Sequence, residues 1–267
     1  MSTSSSFPEG DAETIARRAS SFGGQAAAYA AERPDYPDAA LRWALEPVAD
    51  RTPLRLLDLG AGTGKLTEGL LRYTETVTAV EPDPAMLAEL RERLPEVRAL
   101  EGTAERIPLA DGSVDAIMIG QALHWFDLSR ALPEMARVLS PGGVLAGLWN
   151  IDDHRVPWVR GLKEVSRGKA ALKDWNAGSA FDPTADFPRI EQAEFPHAQQ
   201  RTAESMAATI CTHSHVLILP EAERAALRTR ILDYLHATPE TASGEFDLPI
   251  VTLAIRSALA RDSSASG

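Results

Sequence analysis

Apolar and polar positions change their spacing several times along the chain, and each change predicts a different kind of element. Between residues 54 and 150, short apolar runs that contain β-branched residues alternate with amphipathic stretches. This alternation predicts βαβ units and a parallel sheet. The strands predicted in this region are Leu54–Leu59, Thr76–Glu81, Val97–Glu101, Val114–Ile119 and Val144–Trp149.

Two helices are predicted between these strands. Apolar residues recur at helical spacing over residues 86–94, and Asp83 followed by Pro84 is typical of an N-cap and a first helical residue. A second helix is predicted over residues 132–139, before a Ser-Pro-Gly-Gly stop. Pro133 fits this helix only in its first turn, because a proline further along removes a backbone hydrogen bond.

The regular alternation is lost after residue 150. Residues 151–187 are rich in Trp, Pro and Asp, and we expect them to form a lid that shapes a substrate pocket. Beyond this insertion the pattern predicts a strand near Arg189–Gln200, helices from Ala203 and over Glu221–Leu235, and a strand near Glu245–Arg256. A hairpin would then complete the sheet, giving an α/β fold of seven strands.

The N-terminal part of the chain precedes this core. Residues 1–14 are rich in Ser and predict a disordered tail. Residues 15–53 predict a helical cover, with a turn at 33–37 between two helices. The predicted organisation is therefore a tail (1–14), a cover (15–53), a core (54–150), a lid insertion (151–187) and a C-terminal completion of the sheet (188–267).

Composition and charge restrict the class of protein. The 267 residues carry 44% hydrophobic side chains, enough for one full-sized domain, and a formal net charge of −11 that opposes binding to a phosphate backbone. Cys211 is the single cysteine; it lies in an apolar helical stretch and is predicted to be a buried hydrophobe rather than a nucleophile. No membrane-spanning run or secretory leader is predicted. We therefore expect a cytoplasmic protein without nucleic-acid or membrane partners; the pattern does not predict an oligomeric state.

A glycine-rich turn carries the strongest functional signal. Glycines at 60, 62 and 64 follow the first predicted strand and precede a helix, so the backbone can turn sharply and a ligand can approach it closely. A dinucleotide fingerprint would place its third glycine at position 65, which is Lys65, and a phosphate-binding loop has another spacing. Asp58, just before the turn, would repel a pyrophosphate but attract an ammonium or sulfonium. The turn therefore predicts a cationic, phosphate-free nucleoside.

Glu81 ends the second predicted strand, 21 residues beyond Gly60. A carboxylate at this place can accept hydrogen bonds from both hydroxyls of a ribose. Met86, on the helix that follows, is expected either to contact an adenine face or to pack in the core. A nicotinamide-dependent oxidoreductase and a cofactor-binding protein without turnover remain alternatives.

Several segments together resemble the class I methyltransferases of the type 11 group. They are residues 58–67, 80–83, 101–105, 107–109, 114–116 and 137–143. Looser similarity, over residues 29–37 and 219–224, is to bacterial small-molecule methyltransferases of the trans-aconitate methyltransferase-like kind. The resemblance implies a Rossmann-like, doubly wound, mostly parallel sheet with an antiparallel last strand. It also implies S-adenosylmethionine as cofactor and a small-molecule acceptor.

The resemblance also implies roles for individual residues. The methionine part of the cofactor would be held by Asp58, Gly60, Ala61, Gly62 and Gly64. The ribose would be held by Glu81, with Pro82 and Met86 beside it. The adenine would lie against Thr103, Ala104 and Glu105; Thr103 stands where Asp is common, so recognition would rest on the Ala104 amide and Glu105. Gln121 would lie near the sulfonium, and Tyr29, Arg33 and Tyr36 would close over the cofactor.

His124 is the candidate catalytic base, because it follows the fourth predicted strand at the carboxyl edge of the sheet. It could instead only hydrogen-bond and shape the pocket. The acceptor is expected to contact His124, Tyr36, Trp125 and Trp149. Methyl transfer is an in-line displacement in which positioning dominates, to an oxygen, sulfur or carboxylate acceptor, with nitrogen left open. No metal is predicted, because adjacent residues in 152–154 and 213–215 would point to opposite faces of a strand.

Overall fold

The structure, a computed structural model, describes residues 34–166, 181–211, 216 and 219–260. The helices are α1 (Asp38–Leu45), α2 (Lys65–Leu70), α3 (Pro84–Arg93), α4 (Leu128–Val138), α5 (Pro157–Ser166), α6 (Ala203–Cys211) and α7 (Glu221–Ala237), with 3₁₀ helices at Glu46–Val48 and Leu123–Trp125. The strands are β1 (Leu56–Leu59), β2 (Val77–Glu81), β3 (Arg98–Glu101), β4 (Val114–Gly120), β5 (Leu139–Asp152), β6 (Glu191–Arg201) and β7 (Phe246–Ala258).

The strands form one seven-stranded sheet in the order β3-β2-β1-β4-β5-β7-β6, mostly parallel and with an antiparallel strand. β1 lies between β2 and β4 and is parallel to both, with Leu57 opposite Thr78 on one side and Ile117 on the other. All four residues of β1 are buried, as expected for a central parallel strand covered on both faces. The chain reverses its winding direction at β1, which makes the carboxyl edge there the natural ligand site. The predicted α/β fold class is confirmed.

Two local predictions were wrong, and both concern the approach to β5. The predicted stop at residues 140–143 is part of β5 itself, which pairs with β4 from Leu139 onwards. The register shifts between Val114 and Ala116, and the extra residues of β5 are accommodated by an irregularity in which Gly142 has a φ of +67°. Pro133 is the sixth residue of α4, not a first-turn residue.

The start of α3 follows the predicted capping pattern. Asp83 is the N-cap; its carboxylate accepts hydrogen bonds from the amides of Ala85 and Met86. Pro84 occupies the first helical position, where the missing N–H costs nothing. This cap sets the direction in which α3 leaves the end of β2, and so places Met86.

The chain divides into two compact units. Of the described residues, the larger unit contains 35–149, 181–195 and 252–260, and its core packs α1, α2 and the inner strands around Leu41, Leu56 and Leu70. The smaller unit contains residue 34, 150–166, 196–211, 216 and 219–251. In its core α5 packs with α6 and α7, so the predicted insertion 151–187 contains a helix with its own apolar face. The role of that insertion as a lid stays a prediction.

Two further observations apply to the described part of the chain only. No helix there is both long enough and apolar enough to cross a membrane. Cys211, at the end of α6, is half-buried, and burial raises the pKa of its thiol, which disfavours the reactive thiolate.

Candidate functional site

Asp58 lies in β1 with its carboxylate fully buried. One oxygen, Oδ2, accepts a hydrogen bond of 2.6 Å from the Thr67 hydroxyl of α2, and Oδ1 has no hydrogen-bond partner among the residues that the structure describes. Burial raises the pKa of Asp58 from 3.8 to about 7, and the negative charge of Glu81 adds to the rise. A buried carboxylate with an unused oxygen is suited to a cationic ligand, which would favour its charged form.

The three glycines after β1 all have left-handed backbone conformations, but they serve different purposes. A Cβ on Gly60 would come within 2.8 Å of the Ala122 side chain. A Cβ on Gly64 would come within 3.0 Å of Leu94. A Cβ on Gly62 would meet only the Met86 sulfur, at 3.8 Å. A side chain at position 60 or 64 would therefore press on neighbouring side chains, whereas among the described residues a Cβ on Gly62 would make only an ordinary van der Waals contact.

Glu81, at the end of β2, is held by the backbone around it. Its Oε2 accepts from the amide of Gly62 at 2.8 Å, and Oε1 accepts from the amide of Asp83 at 2.9 Å. Burial raises the pKa of Glu81, while these two amide bonds oppose the rise. A carboxylate has about four acceptor positions, so roughly two are left for hydroxyl donors. The geometry suits the predicted ribose contact. Pro82, between Glu81 and Asp83, is exposed.

The predicted adenine residues follow β3. Ala104 is buried, whereas Thr103 is exposed and forms a backbone bridge with Arg106. The Glu105 carboxylate accepts a hydrogen bond of 2.9 Å from the amide of Asp127, which precedes α4. The segment thus has a link to the chain beyond β4 that spacing alone does not indicate.

Gln121 and Tyr36 lie at the carboxyl end of β4. Gln121 has a φ of +58°, an uncommon value for a residue with a side chain, and its amide donates to the carbonyl of Leu148. Tyr36 is almost completely buried, with its hydroxyl against Gly120, where a Cβ would come within 2.5 Å of that oxygen. Both residues therefore lie at this edge of the sheet, and their roles toward the cofactor stay predictions.

The residues predicted to meet the acceptor are only partly alike in exposure. His124 and Trp125 share the 3₁₀ helix after β4, are half-buried, and have ring centroids 4.8 Å apart. Trp149 of β5 is 1% exposed and packs over Gly147. The structure therefore offers His124 and Trp125 to a ligand more readily than Trp149.

Several predicted positions lie outside the described residues. These are Tyr29 and Arg33 of the cover and the histidines at 213 and 215. Within the ranges that the structure describes, no group of three or more His, Cys, Asp or Glu side chains could hold a metal ion.

Comparison with known proteins decides which ligand chemistry this site belongs to. The family model described as "Methyltransferase domain" matches residues 57–147. An uncharacterized methyltransferase of Mycobacterium tuberculosis is 40% identical over 248 residues, covering 90% of this chain and 96% of that protein. The chain belongs to the S-adenosylmethionine-dependent class I methyltransferases.

Other comparisons agree with this assignment. An uncharacterized methyltransferase of Schizosaccharomyces pombe is 32% identical over 234 residues, covering 86% of this chain and 93% of that protein. A solved structure from Anaeromyxobacter dehalogenans, provisionally assigned as a type II methyltransferase, has a TM-score of 0.65 and 29% identity, covering 85% of this chain and 97% of that one. The methyltransferase prediction is confirmed, and the oxidoreductase and non-catalytic alternatives are set aside.

The residues of this methyltransferase fit S-adenosylmethionine. The unused Asp58 oxygen suits a cationic group, the open position at Gly62 admits a close approach, and Glu81 keeps capacity for hydroxyl donors. Thr67, Ala122 and Phe126 support these residues but were missed in the sequence. Thr67 lies in the first turn of α2, nine residues after Asp58, a spacing that could have indicated it. The packing of Ala122 and Phe126 on Gly60 has no sequence signal.

Proposed function

We propose that this methyltransferase methylates a small molecule that binds against residues 121–127, the acceptor-side segment. The observation that supports this is the packing of Ala122 and Phe126 directly on Gly60. A Cβ added to Gly60 would lie 2.8 Å from the Ala122 side chain and 3.2 Å from the Phe126 ring. The same segment carries the half-buried His124 and Trp125. An acceptor bound there would lie next to the glycine-rich turn at residues 60–64, which would hold the cofactor, as an in-line displacement needs.

The protein's own contribution is positioning. When bound, S-adenosylmethionine supplies a methyl group on a sulfonium, which is an excellent leaving group. Asp58 and the turn at Gly62 would hold the methionine part, Glu81 would hold the ribose, and Ala104 with Glu105 would hold the adenine. Gln121 and Tyr36 would complete the walls of the site, and Trp149, which is 1% exposed, would contribute only an edge of its ring. Such positioning can supply roughly 7–11 kcal/mol of the barrier without covalent help from a side chain.

The need for a base depends on the acceptor atom. A carboxylate needs none and a thiol, with a reference pKa of about 8.5, needs little, whereas a hydroxyl needs a base such as His124. Malonyl-[acyl-carrier protein] O-methyltransferase of Pectobacterium atrosepticum is 43% identical over 94 residues, 35% of this chain and 37% of that enzyme. This local relationship and the trans-aconitate methyltransferase-like resemblance both favour a carboxylate among the oxygen, sulfur and carboxylate acceptors.

The test is a screen of the purified enzyme against carboxylic acids, alcohols and thiols with a radiolabelled methyl donor. We expect label in a small product, and with a carboxylate acceptor we expect His124→Gln to change kcat less than tenfold. A hydroxyl acceptor instead predicts a loss of about 10²–10⁴ in kcat, because the base would be gone. Label found only in protein or nucleic acid, with none in small molecules, would refute the proposal.

A further inference from the structure

We propose that Glu105 is a positioning residue that fixes the acceptor-side segment to the adenine loop (residues 103–107), so that occupation of the adenine site tightens the segment that faces the acceptor. This inference rests on the proposed function for the identity of the acceptor-facing surface. The contact itself joins two segments 22 residues apart, between the Glu105 carboxylate and the Asp127 amide.

The acceptor-side segment is attached to β5 at its start. Gln121 has a positive φ of 58°, and its amide donates to the Leu148 carbonyl at 2.9 Å. A residue with a side chain adopts this conformation at a cost of about 1–3 kcal/mol, so the surrounding structure must impose it. The first residue of the segment is therefore held in a fixed direction as the chain leaves β4.

The middle of the segment packs against the glycine-rich turn at residues 60–64. Ala122 and Phe126 pack on Gly60. Two backbone hydrogen bonds close the turn: the amide of Trp125 donates to the carbonyl of Ala122 at 2.9 Å, and the amide of Phe126 donates to the carbonyl of Leu123 at 3.3 Å. The two hydrogen bonds stay within the segment, and the packing on Gly60 joins it to the glycine turn; none of these contacts involves Asp127. The contacts of Asp127, the last residue of the segment, are separate from these.

Asp127 is the last residue of the segment and the N-cap of α4. Its own carboxylate is occupied by Ser129, accepting from the amide at 3.1 Å and from the hydroxyl at 2.6 Å. Its amide lies outside the helical hydrogen-bond pattern, and it donates to Oε1 of Glu105 at 2.9 Å. Glu105 therefore holds the end of the segment through a charge-assisted bond that is independent of the cap.

The adenine loop, which carries Glu105, is itself fixed by hydrogen bonds to another element. The amide of Ile107 donates to Oε1 of Glu134 at 2.8 Å, and the Arg137 guanidinium donates to the carbonyls of Ile107 and Leu109. Both charged residues belong to α4, the helix that begins immediately after Asp127. The adenine loop is therefore bound to α4 by hydrogen bonds, and the acceptor-side segment leads directly into the start of the same helix. The Glu105–Asp127 hydrogen bond joins the loop to the segment directly.

The experiment measures hydrogen exchange at the amides of Trp125 and Phe126, with and without S-adenosylhomocysteine. Glu105→Ala removes the acceptor oxygen, and Glu105→Gln keeps one. Asp127→Pro removes the N–H donor, and its φ of −74° and the extended conformation of Phe126 both tolerate proline. Asp127→Ala is the matched control, because it loses the same cap but keeps the N–H.

We expect Glu105→Ala to accelerate exchange about tenfold over the wild type, and Asp127→Pro to accelerate it about tenfold over Asp127→Ala. The loss of one charge-assisted hydrogen bond implies this magnitude. Glu105→Gln should restore most of the protection. The double variant Glu105→Ala/Asp127→Pro should exchange no faster than Asp127→Pro alone. Added S-adenosylhomocysteine should protect the segment less in Glu105→Ala than in the wild type. A merely destabilising role would not give this non-additivity.

The proposal is overturned if Glu105→Ala leaves exchange at both amides unchanged, even where its affinity for S-adenosylhomocysteine falls, because Glu105 would then contact only the adenine. It is also overturned if the two single variants add. No methyl acceptor enters this experiment, so its failure leaves the proposed small-molecule methylation intact. Equally, a failed acceptor screen would leave the exchange result standing.

Discussion

The buried carboxylate of Asp58 should destabilise the fold in the absence of cofactor, and Asp58→Asn should reveal this. The pKa of Asp58 is raised from 3.8 to about 7, chiefly by burial. A rise of about three pH units corresponds to about 4 kcal/mol of preference for the neutral form. Asparagine has no charged form and so removes this dependence on protonation, and its side-chain oxygen can still accept a hydrogen bond from the Thr67 hydroxyl. Its amide group would occupy the place of the unpartnered Oδ1, and an unpaired buried donor costs about 1–3 kcal/mol.

The sign follows from proton binding. Between pH 3.8 and about 7 the unfolded chain has lost the proton at Asp58 while the folded chain keeps it. The free energy of unfolding of the wild type therefore falls by about 1.4 kcal/mol per pH unit across this window because of Asp58, and is flat outside it. The asparagine variant lacks this slope. We expect it to be less stable than the wild type near pH 4 and more stable by about 1–3 kcal/mol at pH 8.

The assay is urea unfolding of the cofactor-free protein at several pH values between 4.5 and 8.5, with the midpoint and slope determined at each. Thr67→Val is a useful companion, because it removes the side-chain hydrogen bond from Thr67 to Asp58, which lowers the pKa of Asp58, and should therefore raise that pKa further. Parallel stability curves for wild type and Asp58→Asn across this range would refute the reasoning. Binding of S-adenosylmethionine, measured separately, should be strongly weakened in Asp58→Asn.

Three other predictions follow from the site and the sheet. Glu81→Ala should weaken S-adenosylmethionine binding about tenfold or more in calorimetry, as one lost charged contact would; an unchanged affinity would show that the ribose is held elsewhere. Gly60→Ala should lower the free energy of unfolding by more than Gly62→Ala, by about 1–3 kcal/mol in chemical denaturation, because only its Cβ collides with Ala122, at 2.8 Å; equal losses would contradict this. Asp115→Asn should cost about 3 kcal/mol at pH 7, since burial opposes ionisation but hydrogen bonds from Arg55 and its neighbours lower the pKa of Asp115. That loss should shrink as the pH falls below about 4, where the wild-type carboxylate is protonated in the unfolded chain, and a loss independent of pH would argue against the ion pair.

Local sequence determined most of the secondary structure. The first four predicted strands agree with β1 to β4 within two residues at each end. Three of these strands, β1, β2 and β4, are mostly buried, and such strands leave short apolar runs bounded by polar turns, whereas β3 at the edge of the sheet has no buried residue. The cap of α3 could also be predicted, since the Asp83 carboxylate accepts hydrogen bonds from amides two and three residues further along the chain. The same holds for the glycine turn, whose spacing identified the ligand class.

Tertiary structure decided how these pieces support one another. The sequence suggested that every glycine of the turn admits a ligand, but Gly60 is required by Ala122, which is 62 positions away in the chain. It suggested that Glu105 belongs to the adenine, but the Glu105 carboxylate also holds the amide of Asp127. Periodicity and capping act over a few residues and can be read along the chain. Contacts between distant segments depend on which elements the sheet brings together, and the raised pKa of Asp58 depends on the burial that only the folded sheet creates.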